Sequence, residues 1–156
     1  MEKKRKFIER FAQPVLNAVE GTTLFPSVMI AQAALESAWG TSSLSASFNN
    51  LFGIKADPSW KGRSVTMPTR EYLNGKYVTI DDAFRAYDDP ADSVRDRVKF
   101  LQDNPRYRQV FEAKTPSEQA QALQAAGYAT DPQYASKIIA TIKANDFRQW
   151  DLKKKQ

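Results

Sequence analysis

The sequence predicts a mainly α-helical domain of the α+β type, with helices at both ends and a small β-hairpin between them. Three observations carry that prediction. Apolar residues recur at helical spacing near both termini, Asn74-Gly75 lies between two β-prone runs, and no repeat or low-complexity segment interrupts the order. The 156 residues, 42% apolar and 12% aromatic, read as a single domain over 1–156 with its β part at about 57–87. A chain of that size buries roughly two-thirds of its unfolded surface.

Taken in order, Phe7, Ile8, Phe11, Val15, Leu16 and Val19 mark a helix from Lys4 to Val19, which Pro14 is expected to kink or divide. After Gly21, Thr23 or Ser27 is placed to cap a second helix and Pro26 to occupy its first turn. That helix is expected to run to about Trp39 and stop at Gly40. Residues 41–63, rich in Ser, Asn, Gly and Pro, read as a structured loop. VTMPTREYLNGKYVTIDD then gives the hairpin, and AFRAY reads as a further strand. Beyond Asp88, Val94, Val98 and Leu101 share one helical face until Asn104-Pro105 ends it. Thr115-Pro116-Ser117-Glu118 is a capping box whose helix closes at Gly127. Asp131 reads as the cap of a last helix, with Pro132 in its first turn, reaching about Ala144.

The chain has no cysteine and no histidine. Thiol nucleophiles, disulfides, zinc–histidine sites and Ser-His-Asp triads are thereby excluded, so any acid–base chemistry falls to carboxylates, tyrosines or lysines. The net charge of +5 invites a nucleic-acid reading, but residues 1–10 carry +3 and residues 151–156 carry +2, leaving the body neutral. Basic ends suit an anionic surface such as cell wall or membrane, and no nucleic-acid motif accompanies them. No apolar run approaches the ~20 residues of a membrane span, so membrane insertion is not expected. The basic start MEKKRKFIERF is not followed by the apolar core of a signal peptide.

One carboxylate stands apart. From Gly21 to Ile54 there is no Asp, Lys or Arg, and Glu36, in AQAALESAWG, is the sole ionisable group. Its helical neighbours are Gln32, Ala33, Trp39 and Gly40, none able to pair with it. Poor solvation raises a carboxyl's pKa and keeps its proton near neutral pH, as a general acid requires. The alternative is a solvent-facing glutamate on an amphipathic helix.

FPSVMIAQAALESAWGTSSL, FNNLFGIK, TREYLNGK and AGYATDPQYASKI, in that order, resemble the peptidoglycan glucosaminidases of glycoside hydrolase family 73, which include flagellar-rod hydrolases and many autolysins. The resemblance implies a lysozyme-like fold, with a helical lobe and a small β-lobe flanking a glycan groove. It also implies cleavage of the β-1,4 bond on the reducing side of N-acetylglucosamine, before N-acetylmuramic acid. Glu36 then becomes the general acid, and the match of TREYLNG carries the second acid over to Glu71. Glu71 reads otherwise as an exposed strand residue paired with Arg70 or Lys76.

The remaining candidates keep two readings each. Trp39 either stacks on a sugar or packs, Asn50 meets either a sugar amide or its own loop, and Tyr134 is either groove wall or core. Tyr128 follows a helix stop where its hydroxyl could face the groove, and Asp131 either caps or touches substrate. Trp60 is a weaker stacking candidate. Arg95, Arg97, Lys99, Arg106 and Arg108 read as a solvated basic face or as partners for wall peptide carboxylates. The expected partner is the peptidoglycan glycan strand, the expected state a monomer, and no metal or organic cofactor is implied. The expected location is extracellular, in cell wall or periplasm. A lytic transglycosylase and a non-catalytic wall-binding domain are the rival readings.

Overall fold

The computed structural model describes residues 2–154. Met1, Lys155 and Gln156, the last two in the basic tail, lie outside the described residues. Helix α1 (Glu2–Val19) runs through Pro14 as one helix and buries Phe7, Phe11, Val15 and Val19. Helix α2 (Pro26–Glu36) has every residue from Pro26 to Ala34 buried. A helix apolar on all sides belongs inside the core rather than on its surface. Here α1, α5 (Pro116–Ala125), α6 (Tyr134–Ala144) and α7 (Arg148–Asp151) surround it. This burial explains why α2 carries no charge before its end: only that end reaches solvent, and Glu36 is its last residue.

Helix α2 stops short of the expected Trp39. The Ser37 hydroxyl donates to the Ala33 carbonyl at 2.5 Å and accepts the Gly40 N–H at 2.8 Å, offering the backbone an alternative to another turn. Ala38, Trp39 and Gly40 then take positive φ of 50°, 58° and 81°. The loop that follows contains a short helix absent from the sequence reading, α3 (Ser43–Phe48), whose first turn is capped by Ser42.

Strands β1 (Ser64–Leu73) and β2 (Lys76–Arg85) form one antiparallel hairpin, with Leu73 opposite Lys76 and Ser64 opposite Arg85. Asn74 and Gly75 both have positive φ, 51° and 81°, as the expected two-residue turn requires. AFRAY is not a further strand. Ala83 to Arg85 complete β2, which gains only an isolated bridge between Phe84 and Lys55.

The hairpin is tied to the helices at both ends. At its base, buried Arg85 pairs with Asp96 of α4 (Pro90–Asp103) at 2.8 Å and donates to the Lys55 carbonyl at 3.0 Å. Trp60 covers the Arg85 guanidinium at 4.6 Å and meets Tyr87 edge-on, so its ring serves this joint. Near the tip, the Tyr72 N–H donates to the Thr130 hydroxyl at 3.0 Å, reaching the loop between α5 and α6.

After α4, Pro105–Glu112 forms a 3₁₀ segment. The capping box behaves as expected: Thr115 accepts the Glu118 N–H at 3.1 Å, and Glu118 accepts the Lys114 N–H at 2.9 Å. Asp131 instead closes a turn ahead of α6, accepting the Gln133 N–H at 2.8 Å, and the helix begins only at Tyr134. Among the described residues no helix is long and apolar enough to cross a membrane.

Candidate active site

Glu36 emerges from the core at the exposed end of α2, where the charge of Glu71 on the hairpin reaches it. Helix geometry works against its negative charge there, because unsatisfied carbonyls gather at a helix C-terminus. The NLFG loop lies against it: a Cβ on Gly53 would stand 3.6 Å from Glu36 Oε2. Gly53 also has φ of +66°, a backbone conformation that favours glycine.

Crowding by protein pushes the Glu36 pKa up to about 7, and the Glu71 charge pushes the same way, against Arg97 and Lys137. Glu36 is nevertheless an exposed residue, so water screens part of this effect in the free protein. A glycan covering it displaces that water, so the upward shift is greatest with substrate bound.

Glu71 lies on β1 opposite Val78, close enough for its charge to reach Glu36. Its partner is neither Arg70 nor Lys76. Lys55, two residues past Gly53, donates to Glu71 at 3.0 Å and pairs with Asp82 of β2 at 2.9 Å. Lys55 therefore fixes the second carboxylate from the same loop that backs the first.

Two tyrosines line the inner side. Burial pushes the Tyr128 hydroxyl up to about 12 and holds Tyr134 well above its ordinary value, so both keep their protons. Tyr128 accepts from Arg97 Nε at 3.1 Å, and Tyr134 accepts from Gln32 Nε2 at 2.6 Å. Each hydroxyl hydrogen is thus left for another acceptor. Tyr134 is otherwise a buried core ring, 5.7 Å from that of Tyr128.

Three sequence candidates lie elsewhere or do other work. Trp39 does not stand beside the acid, because the left-handed turn at Ala38 and Trp39 swings its ring toward α1. There it meets Phe7 edge-on at 5.6 Å and Phe147 at 6.0 Å, with Lys4 over its face. Asn50 is buried and spends its amide on backbone, donating to the Ile54 and Arg85 carbonyls at 3.0 and 2.8 Å and accepting the Ile54 N–H at 3.2 Å. Asp131, besides its turn, holds Lys137 in an ion pair, which ties the loop before α6 to the helix. Asn50→Ala is expected to cost about 2–4 kcal/mol in urea unfolding, by leaving buried backbone groups unpaired, with KM of the folded protein unchanged.

The buried cation beside the site went unseen in the sequence. Arg95 and Lys99 do form a solvated face, paired with Asp92 and Asp103. Arg97 is fully buried. The available signal was its position: it falls on the stripe of Val94, Val98 and Leu101, where α4 faces the core.

Comparison with known proteins fits this arrangement. A family model described as mannosyl-glycoprotein endo-beta-N-acetylglucosaminidase, the Glucosaminidase family, matches residues 12–147. The chain belongs to this family, glycoside hydrolase family 73. An exo-glucosaminidase, LytG, of Bacillus subtilis is 39% identical over 97% of this chain and 55% of its own length. A probable N-acetylmuramidase of Lactococcus lactis is 40% identical over 93% of the chain and 34% of its own. The chain thus spans about half, or less, of these curated relatives. A solved peptidoglycan hydrolase mutant from Sphingomonas sp. A1 superposes with TM-score 0.84 at 34% identity, covering 95% of this glucosaminidase domain and 98% of that chain. The two-lobed, lysozyme-like arrangement is thereby shared with hydrolases of known structure.

Proposed function

We propose that this glucosaminidase domain hydrolyses peptidoglycan glycan strands at the β-1,4 bond on the reducing side of N-acetylglucosamine, outside the cytoplasm in cell wall or periplasm. The observation that carries the reading is an exposed carboxyl at the end of a core helix, pushed up to about 7 by its surroundings and within reach of the charge of a second carboxylate. Glu36 gives its proton to the glycosidic oxygen as the bond from that oxygen to the anomeric carbon breaks, and the electron pair leaves with the oxygen. Glu71, fixed by Lys55, stabilises the oxocarbenium charge and takes a proton from the water that attacks. The Tyr128 hydroxyl supplies a donor to the sugar's polar groups.

The relatives' names divide over which bond is cut and whether the cut is internal. Mass spectrometry of digests made in heavy-oxygen water separates these outcomes. The expected products are oligomers ending in reducing N-acetylglucosamine that carries one heavy oxygen. Anhydromuramic ends without label would make the domain a lytic transglycosylase, and reducing muramic acid would move the cut to the neighbouring bond.

A further inference from the structure

One buried charge takes no part in the mechanism so far. Arg97 has no exposed surface and forms no ion pair among the described residues. Its Nε donates to Tyr128 at 3.1 Å, Nη2 donates to Gln32 Oε1, and Nη1 has no partner. The guanidinium carbon lies 4.6 Å from the Tyr128 ring centre and 5.2 Å from that of Phe52. A cation buried without a counter-ion is costly, so it persists where something offsets it.

Its neighbours all lead to the acid. Gln32 stands one helical turn before Glu36 on α2, and Phe52 precedes the glycine that backs the Glu36 carboxyl. The charged and titratable groups facing Glu36 are Arg97 from α4, Glu71 from β1, Lys137 and Tyr134 from α6, and Tyr128 from the α5–α6 loop. Lys137 is already paired with Asp131, and Glu71 with Lys55. The cation left without a carboxylate is Arg97.

We propose that Arg97 is a positioning residue for proton transfer: held by Gln32, one helical turn before Glu36, and by Tyr128, its guanidinium, free of any ion pair, stabilises the Glu36 carboxylate left when the proton passes to the glycosidic oxygen. The Glu36 O–H bond breaks, the leaving oxygen gains the hydrogen, and the new anion faces a cation that was uncompensated while the acid was neutral. Of the charged groups acting on Glu36, Arg97 has the largest effect, and it favours the anion. The proposal rests on Glu36 being the acid.

The test is the pH dependence of kcat on soluble glycan strands for wild type, Arg97→Met, Arg97→Lys and Glu36→Gln. Without the cation the Glu36 anion is less favoured. Arg97→Met is therefore expected to move the alkaline limb up by about one pH unit and to lower the plateau about tenfold. Arg97→Lys keeps the limb near its wild-type place. A packing role alone lowers melting temperature and active fraction but leaves the limb where it was. In the wild-type protein, which avoids any folding defect, the Arg97 guanidinium nitrogen resonances are expected to titrate with the midpoint of the Glu36 carboxyl carbon. A folded Arg97→Met variant with an unmoved limb, or flat Arg97 resonances across the Glu36 titration, overturns the proposal. If Glu36→Gln keeps turnover, the assignment of the acid falls instead.

Discussion

Glu36→Gln is expected to lower turnover on peptidoglycan by about a thousandfold, within the range that general-acid catalysis contributes, while sacculus binding persists. The amide has the same shape as the carboxyl and suits the crowded end of α2, so the fold should survive. Stability should change in a direction that marks the residue's state. The folded-state pKa of about 7 lies above the ordinary 4.5, so the native protein holds a proton that the unfolded chain releases. Wild-type stability therefore falls as pH rises from 4.5 to 7 and stays lower above that window. Glu36→Gln lacks this dependence and is expected to melt higher than wild type above pH 7, the gap closing below about 4.5. Differential scanning calorimetry across that range, beside reducing-end assays, reads both outcomes. A variant with normal turnover, or one that melts below wild type at alkaline pH, contradicts the assignment.

Glu71→Gln is expected to reduce turnover by about a hundredfold. Lys55 keeps its 2.9 Å pair with Asp82, and the new amide oxygen can still accept from it, so the hairpin should hold. The alkaline limb supplies an independent sign. The Glu71 charge raises the Glu36 pKa, so removing it should shift the limb to lower pH, opposite to the shift expected for Arg97→Met. A pH–rate series on both variants checks the pair. Wild-type turnover in Glu71→Gln, with anhydromuramic products, would support the transglycosylase reading and leave Glu71 without a chemical role.

Features governed by local chemistry were legible in the sequence. Asn74-Gly75 demands positive φ at two consecutive residues, and few arrangements other than a hairpin provide that. The Thr115 capping box depends on groups within one turn of each other. The isolation of Glu36 pointed to the site because a core helix has one place to carry a charge, its end. Features set by distant packing were not legible. Ser37 ends α2 early through its own hydroxyl, which left Trp39 on the far side of the helix from where regular geometry would put it. Asn50 is claimed by carbonyls that include one 35 residues away. Arg70 follows the alternation of a strand: it leaves the face of its neighbour Glu71 and lies over Tyr77 at 4.3 Å, so the partner of Glu71 had to come from another element. Arg97 was hidden by the charged residues on either side of it, although its place on an apolar stripe marked it.

The most direct test of the central claim pairs two curves from the free protein. Carbon NMR of the Glu36 side chain gives the midpoint at which its proton leaves, and the alkaline limb of kcat/KM gives the pKa of the acid that catalysis needs. Both are expected above the ordinary carboxylate range, raised toward about 7, and at the same pH. A Glu36 carboxyl that titrates in the ordinary carboxylate range, with activity persisting well above it, would contradict the account.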